Sequence, residues 1–387
     1  MIIENHPYDD IKVFLPEKEA NELKPLILKA VSEISDTTNT HRFMSDCHPC
    51  HGTTFVGWTF KLNDINIIKP TYIGPDIGCG ILVIPLSKRL NEKKLIKMVD
   101  YIKGFFPMGD ITMHNKAIVD DSYIERYMDE IQKQTDDYTT KNNLLPYKQS
   151  LDNLCKRLKI NVNNIKRTIG TLGGGNHYIE INEDDEGQQY LSVHSGSRSL
   201  GHHIMVHYTK LTDNMGYIRG DVAKEYIFDL ILSQVFAKMN RHTIAKVILD
   251  YINDDINDFV ESFHNFIEVD TGLFRKGAIS AKLNEKCIVS LNMKEGILLC
   301  NGLGNSDSNY SCAHGCGRNY SRGEVDKSNK QLKEFEKIMK DVITVDINKD
   351  TLDEAPFAYK DSDMIIDSIK DNVTIIKRMK AIMNIKG

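Results

Sequence analysis

The sequence predicts an α+β fold, a single large domain of antiparallel or mixed β-sheets flanked by helices. Apolar residues at helical spacing and short β-branched runs both occur, but they do not alternate regularly as in a doubly wound parallel sheet. The chain has 387 residues, of which 41% are hydrophobic and 27% are charged. This composition is typical of a globular protein with a sizeable core.

Six segments have the apolar spacing of helices, and five are typical of short strands. The predicted helices cover 17–35, 88–105, 116–134, 220–256, 326–343 and 361–382. The predicted strands cover 53–62, 79–86, 177–182, 190–194 and 296–300. The polar segment 135–150 is a candidate linker, and no repeat of 20–50 residues is evident.

Charge and hydropathy narrow the classes of function. A net charge of −5 argues against a broad, nonspecific polyanion binder, although it allows a local basic groove. No apolar run approaches the roughly 18 residues of a membrane span, and the first residues lack the pattern of a signal peptide. We therefore expect a cytoplasmic protein with no membrane partner. The eight irregularly spaced cysteines are expected to be thiols or ligands rather than disulfides.

The segment GPDIGCG places Asp76 and Cys79 three residues apart between glycines. A carboxylate and a thiolate on one turn can both bind a single divalent ion. Taken alone, the pair is better explained as a tight turn with a buried cysteine. His177 follows a glycine run and His194 precedes a Ser-Gly-Ser-Arg turn, and imidazoles are common metal ligands. The combination favours a metal site, to which His264 in FHN adds a weaker candidate.

Two glycine-rich turns and another histidine point to phosphoryl chemistry. GGGN and SGSR offer backbone N–H groups, hydroxyls and one arginine, which suit phosphate oxygens. His314, in AHGCGR, lies four residues before Arg318. An imidazole can attack phosphorus if an acceptor holds its other nitrogen. A fifth metal ligand and a plain loop histidine remain alternatives, because spacing does not separate them.

Three further motifs are weak. Cys47 and Cys50 form a C-x-x-C without a second such pair, which disfavours a redox or zinc role. His203 and His207 lie one helical turn apart but lack the glutamate of a zinc-protease motif. The glycines at 173–175 are not followed by a helix pattern, which makes a dinucleotide fingerprint improbable.

Taken together, these motifs resemble the RtcB family of GTP-dependent RNA-splicing ligases. From about residue 40 onward, the matches in family order are PDIGCG, GTLGGGNHYIE, VHSGSRSLGH, FHNF, RKGA, SCAHGCGRNYSR, DEAPFAYKD and the terminal Lys386-Gly387. So many ordered matches are specific, although no single one is. The resemblance implies one RtcB-like catalytic domain over 1–387, with 1–40 as an N-terminal extension and 105–165 as a helical insertion.

The resemblance also implies roles for matching residues. Two manganese ions would be held by Asp76, Cys79, His177, His194 and His264, with the Cys79 sulfur bridging them. His314 would become guanylylated, while Asp46 would hold its other nitrogen. The nucleotide would be contacted by Asn176, Glu180, Arg318, Tyr359 and Lys386, the last two near the guanine. Arg198 would lie near RNA or phosphate.

The implied reaction joins RNA 3′-phosphate or 2′,3′-cyclic phosphate ends to 5′-hydroxyl ends with GTP and manganese. One departure concerns Ser290–Lys294, where the family usually has Pro-Gly-Ser-Met-Gly beside the nucleotide, and another puts cysteines at 47 and 50. The altered loop motivates an alternative, a metal-dependent phosphoesterase that acts on RNA ends without guanylylation. A noncatalytic RNA-end-binding module is a third hypothesis, which the acidic charge disfavours. Ligand softness alone would favour zinc, so manganese follows from the resemblance.

Overall fold

The computed structural model describes residues 10–50, 54–109, 111–141, 150–319 and 322–387. The strands in this part of the chain are β1 (Ile11–Val13), β2 (Thr38–Pro49), β3 (Phe55–Leu62), β4 (Ile67–Ile68), β5 (Gly80–Pro85), β6 (Tyr178–Glu183), β7 (Gln189–Ser195), β8 (Ile218–Arg219), β9 (Val260–Phe263), β10 (Asn265–Glu268), β11 (Leu273–Lys276), β12 (Ala278–Ser280), β13 (Lys286–Ser290), β14 (Ile297–Gly302), β15 (Ser311–Ala313) and β16 (Val373–Lys386). The helices are α1 (Glu17–Ser32), α2 (Glu92–Phe105), α3 (Asp121–Lys141), α4 (Leu151–Leu158), α5 (Val162–Thr168), α6 (Arg198–Thr209), α7 (Gly220–Ile252), α8 (Asn329–Ile338) and α9 (Ser362–Ser368).

Two sheets form the framework of the described residues. The larger has seven strands in the order β13-β14-β16-β6-β7-β5-β9, and every neighbouring pair is antiparallel. The smaller has the order β1-β2-β3-β11-β10 and includes one parallel pair, β1 with β2. The predicted α+β class with antiparallel or mixed sheets is therefore confirmed.

Helix α7 connects two hydrophobic cores. Its N-terminal half, including Phe236, packs into the core that contains the aromatic side chains Phe43, Trp58 and Phe274 of the five-stranded sheet. Its C-terminal half packs with α2 and the apolar face of the seven-stranded sheet. Apolar residues occur all round α7, as expected for a buried helix. No helix among the described residues has both the length and the apolar character that crossing a membrane requires.

The predicted strands are all present with slightly shifted ends, and five predicted helices correspond to α1, α2, α3, α7 and α8. The helix predicted over 361–382 is wrong, because α9 ends at Ser368 and β16 follows. Met379, Ala381 and Met383 are buried at alternate positions, which is the period of a strand. The candidate linker is also wrong at 135–141, which continues α3, while 142–149 lie outside the described residues.

Candidate active site

Strand register brings the ends of four neighbouring strands to one edge of the seven-stranded sheet. Gly80 at the start of β5 pairs with Ser195 at the end of β7 and with Phe263 at the end of β9. Tyr178 at the start of β6 pairs with His194 in β7. Residues next to these pairs therefore meet, although they come from four distant segments. The side chains gathered at this edge are Asp76, Cys79, His177, His194 and His264.

The five side chains form two overlapping groups that could hold a metal ion. One group is Cys79, His194 and His264, and the other is Asp76, Cys79 and His177, with all ligand atoms in each group within 4.8 Å of one another. The Cys79 Sγ lies 3.4 Å from His177 Nε2 and 3.2 Å from His194 Nε2. His194 Nε2 lies 3.3 Å from His264 Nε2, and His177 Nε2 lies 3.1 Å from Asp76 Oδ2. Cys79 belongs to both groups.

Backbone carbonyls determine which nitrogen of two histidines faces this cluster. His177 Nδ1 lies 3.0 Å from the carbonyl oxygen of Leu172, and His194 Nδ1 lies 3.2 Å from that of Asn176. A carbonyl oxygen only accepts, so each Nδ1 carries the proton and each Nε2 presents a lone pair. Burial, together with neighbouring cationic groups, lowers the pKa of His194 and of His264 well below the usual range. Neutral imidazoles of this kind are metal ligands.

The Ser-Gly-Ser-Arg turn makes room for the cluster. A Cβ at Gly196 would lie 2.0 Å from Asp76 Oδ1, so this position excludes any side chain. Burial opposes ionisation of Asp76, but His177, a hydrogen bond with Cys79 and the charge of Arg198 together outweigh it, so the pKa of Asp76 is lowered. Arg198 donates hydrogen bonds to Thr171 Oγ1 at 3.1 Å and to the carbonyl of Gly109 at 3.0 Å. Its implied position near RNA or phosphate stays a prediction.

A carboxylate holds His314 beside this cluster. Asp46 Oδ2 lies 2.6 Å from His314 Nδ1 and also accepts from the backbone N–H groups of His314 and Gly315, at 3.1 and 3.3 Å. Asp46 is fully buried, and a Cβ at Gly57 would come within 2.7 Å of its Oδ1. The rings of His314 and His264 have centroids 4.7 Å apart. The implied pair of Asp46 and His314 is therefore in contact, next to the five-residue cluster.

A cavity of about 680 Å³ opens beside His314 and His194. This volume is in the range of small-molecule sites. Its lining includes the five residues implied to contact a nucleotide, which are Asn176, Glu180, Arg318, Tyr359 and Lys386. The five implied metal ligands, the pair Asp46 and His314, and the five implied nucleotide contacts thus all lie around one cluster and one cavity, while their roles stay predictions.

Glu354 was missed by sequence reasoning; it is buried behind the wall of this cavity and contacts four residues of its lining. Its carboxylate accepts from Lys386 Nζ and from the Tyr359 hydroxyl, each at 2.7 Å, and forms ion pairs with Arg318 and Arg322. Burial opposes ionisation, but Lys386 and the two arginines outweigh it and lower the pKa of Glu354 to about 2. The only sequence signal was its position in DEAPFAYKD, and spacing could not reveal its partners.

The pKa of Glu180, which is part of the cavity lining, is shifted in the opposite direction. Its carboxylate accepts from the side-chain amides of Asn182 at 2.8 Å and Asn384 at 2.5 Å. Burial raises the pKa of Glu180 to about 7, and these two neutral donors offset only part of that effect. The carboxylate behind the cavity lining is therefore ionised at neutral pH, whereas the pKa of Glu180, in the lining, lies near neutral pH.

The three weak motifs lie outside the metal-ligand groups. Cys47 is buried in the core and Cys50 lies at the cavity wall, and both are free thiols. His203 and His207 lie on α6, and neither belongs to a group of three or more metal ligands in the described part of the chain. The glycines at 173–175 lead into β6 rather than a helix, as the sequence predicts.

Fold and site together define an α+β protein with a candidate metal centre, a carboxylate-held histidine and an adjacent cavity whose lining includes several charged side chains. Residues 27–387 match the family model of the tRNA-splicing ligase RtcB, and the chain belongs to this family. The predicted family is thus confirmed.

Several curated relatives share this similarity. RNA-splicing ligases RtcB1 and RtcB, from two strains of Escherichia coli, are each 29% identical over 262 residues, which is 59% of this chain and 63% of each relative. The match thus spans less than two thirds of the length of these two relatives. The tRNA-splicing ligase RtcB of Methanococcus maripaludis is 21% identical over 453 residues, covering 97% of this chain and 94% of the relative.

Proposed function

We propose that this protein is an RNA ligase that joins 3′-phosphate or 2′,3′-cyclic phosphate ends to 5′-hydroxyl ends, with GTP as cosubstrate and two manganese ions as cofactors. The observation that carries the proposal is the 2.6 Å contact between His314 Nδ1 and Asp46 Oδ2, at the wall of a nucleotide-sized cavity. The names of the relatives, RNA-splicing and tRNA-splicing ligases, support the same class of reaction.

The donor set fits two divalent ions. His194 and His264 would hold one ion, Asp76 and His177 the other, and Cys79 would contribute its sulfur to both, because it belongs to both groups. When bound, such ions neutralise charge that gathers on phosphoryl oxygens. A thiolate and imidazoles would accept zinc readily, so the choice of manganese rests on the family resemblance.

His314 is the proposed nucleophile. The Nδ1–H group of His314 donates a hydrogen bond to Asp46. The Nε2 atom therefore carries a lone pair that can attack the α-phosphorus of GTP. A nitrogen–phosphorus bond forms, the bond from the α-phosphorus to the bridging oxygen breaks, and pyrophosphate leaves. The ring gains positive charge in this step, which the buried Asp46 carboxylate stabilises.

Transfer of GMP then activates the RNA end. Water first opens a cyclic phosphate to a 3′-phosphate, and an oxygen of this 3′-phosphate takes GMP from His314. A 3′-phosphate monoester has no good leaving group, whereas the capped end can expel GMP. The 5′-hydroxyl of the second strand attacks the phosphorus of the RNA 3′-phosphate and gives its proton to solvent. The bond from this phosphorus to GMP breaks, GMP leaves, and the phosphodiester bond is complete.

The altered loop is compatible with binding of a nucleotide. Asn292 Oδ1 accepts from the backbone N–H groups of Lys294 and Glu295, both at 3.0 Å, so the loop forms a side-chain-capped turn. Residues 290–293 line the cavity, whereas Lys294 is not part of its lining among the described residues. The phosphoesterase alternative was motivated by the altered loop. Because Lys294 is outside the described lining of the cavity, the arrangement of the loop supports the ligase.

Labelling with α-³²P GTP and manganese tests the proposal. We expect an acid-labile protein adduct that is absent from His314→Ala. The matched control His203→Ala, which changes a histidine on α6, should still form the adduct. RNA with a 3′-phosphate and a 5′-hydroxyl should then be joined only when GTP is present. Release of inorganic phosphate from RNA ends without GTP, and without an adduct under any divalent metal, would instead support the phosphoesterase.

A further inference from the structure

Lys360 and Glu19 form a clamp on the strand that carries Asp46. The Lys360 ammonium donates to the carbonyl oxygens of Ser45 at 3.3 Å and of Cys47 at 3.1 Å, the two residues that flank Asp46. Its third partner is the Glu19 carboxylate of α1, at 2.6 Å. The Lys360 side chain is 6% exposed and that of Glu19 is 33% exposed. The lysine end of the clamp is therefore buried, and the glutamate end is partly exposed.

The clamp acts where the sheet itself does not hold the strand. The register between β2 and β3 shifts between Phe43 and His48, and the residues 44–47 have no partner on β3 among the described residues. Buried carbonyl groups in such an interruption require other hydrogen-bond donors. Lys360 supplies a donor to two of them at once. The bulged backbone that aims Asp46 at His314 is thus held by a side chain from a distant segment.

Lys360 also contacts the other partner of the pair through its backbone. Its N–H donates to the carbonyl oxygen of Gly317 at 3.1 Å, three residues after His314. A Cβ at Gly317 would lie 2.2 Å from the carbonyl oxygen of Asp46, so the two segments pass in close contact. One residue therefore connects the strand of Asp46 to the loop of His314. Glu19 offsets the cost of burying the ammonium.

We propose that Lys360, anchored by Glu19, is a positioning residue for the Asp46–His314 pair. Helix α1 thereby contributes to the active site through Glu19, which precedes the family-matched region 27–387. The kinetic consequence rests on the proposed function. Neither Glu19 nor Lys360 belongs to the described lining of the cavity, so loss of the clamp should slow covalent labelling without weakening GTP binding.

Single-turnover labelling with GTP tests this proposal. We expect Lys360→Met to lower the rate constant about 100-fold and Glu19→Gln about tenfold, as for a small displacement of a reacting group. The GTP concentration for half-maximal rate should stay within about twofold of the wild-type value, because binding contacts are retained. Lys360→Arg and Glu19→Asp should recover most of the rate. The matched control is Lys238→Met, which breaks the 2.9 Å ion pair with Glu130 between α3 and α7.

The charge-reversed double variant E19K/K360E separates positioning from a simple ion pair. A glutamate at 360 cannot donate to two carbonyl oxygens, so we expect no recovery of the rate. Recovery in the double variant, or a wild-type rate in folded Lys360→Met, would overturn the proposal. If Lys360→Met does not fold, Glu19→Gln can be tested in its place. A wild-type labelling rate in Glu19→Gln would overturn the role of Glu19.

A readout without GTP distinguishes failure of this proposal from failure of the proposed function. Diethyl pyrocarbonate modifies accessible imidazoles, and mass spectrometry of the peptide reports His314 alone. We expect Lys360→Met and Glu19→Gln to change the modification rate of His314 at least about threefold, whereas Lys238→Met leaves it unchanged. If wild-type protein forms no GMP adduct, the ligase proposal fails, and an unchanged modification rate in Lys360→Met and Glu19→Gln overturns the clamp.

Discussion

The candidate metal-ligand cluster and the cavity beside His314 are neighbours, but different forces hold their residues in place. The cluster sits at the ends of β6, β7, β5 and β9, where antiparallel register sets the positions of the ligands. The cavity residues are instead supported from behind, by Asp46 in a bulge of β2, which contacts the loop after β15, and by the Glu354 carboxylate, which four side chains share. Regular backbone hydrogen bonds thus define one half of the site, and buried charge contacts define the other.

The largest effect should come from the residue common to both ligand groups. Cys79→Ala removes a ligand from each group, so we expect loss of both metal ions and at least about a 10⁴-fold lower rate of RNA joining. His264→Ala should remove a ligand from one group only. Metal stoichiometry measured by mass spectrometry after gel filtration checks both variants. Equal retention of metal by Cys79→Ala and wild type would contradict the shared-ligand arrangement.

The part of the site that buried ion pairs hold together should be destabilised by loss of Glu354. Glu354→Gln leaves Lys386, Arg318 and Arg322 without their common carboxylate, which should cost about 3–5 kcal/mol of unfolding free energy. The folded-state pKa of Glu354 is lowered from 4.5 to about 2, so its contribution is present above pH 4.5 and is lost as the pH falls toward 2. Urea unfolding of both proteins between pH 7 and pH 3 measures this. A difference that does not shrink with acid would contradict the assignment.

Glu180 should show the reverse dependence on pH. Its folded-state pKa is raised from 4.5 to about 7, so the folded protein binds the extra proton between these values and stability falls as the pH rises through them. Glu180→Gln removes this loss and should stabilise the metal-free protein by about 3 kcal/mol at pH 8 relative to pH 4.5. Denaturant unfolding at the two pH values checks the prediction. An equal change in unfolding free energy at pH 4.5 and pH 8 would show that Glu180 does not titrate between these values.

The smallest effect should come from Lys294, which differs from the glycine usual in the family. Lys294 lies outside the described lining of the cavity, and its backbone N–H is capped by Asn292. Lys294→Gly should change the half-saturating concentration of GTP by less than about twofold, because the side chain lies outside the described lining of the cavity. Titration of covalent labelling against GTP provides the measurement. A tenfold improvement would mean that the side chain obstructs the nucleotide after all.

The spacing of apolar residues predicted strands and helices correctly where the tertiary contacts favour the same secondary structure. The strands β3, β5, β6, β7 and β14 and the helix α7 followed from apolar spacing alone. The segment 373–386 carries residues compatible with a helix, yet it lies between β14 and β6 and pairs with both. Such a central position in a sheet outweighs intrinsic preference. Strand β2 was not predicted, because its polar stretch TNTHRFMSDCHP is buried by tertiary contacts.

By itself, the sequence determined the α+β class, the family and the residue types available for metal and phosphate chemistry, because these follow from composition and ordered motifs. Only the tertiary structure decided that Glu354 gathers three cations and that Lys360 spans the Asp46 strand and the His314 loop. Such contacts join residues that are between 32 and 315 positions apart in the sequence. Their geometry depends on register and burial, which the order of residues along one chain does not specify.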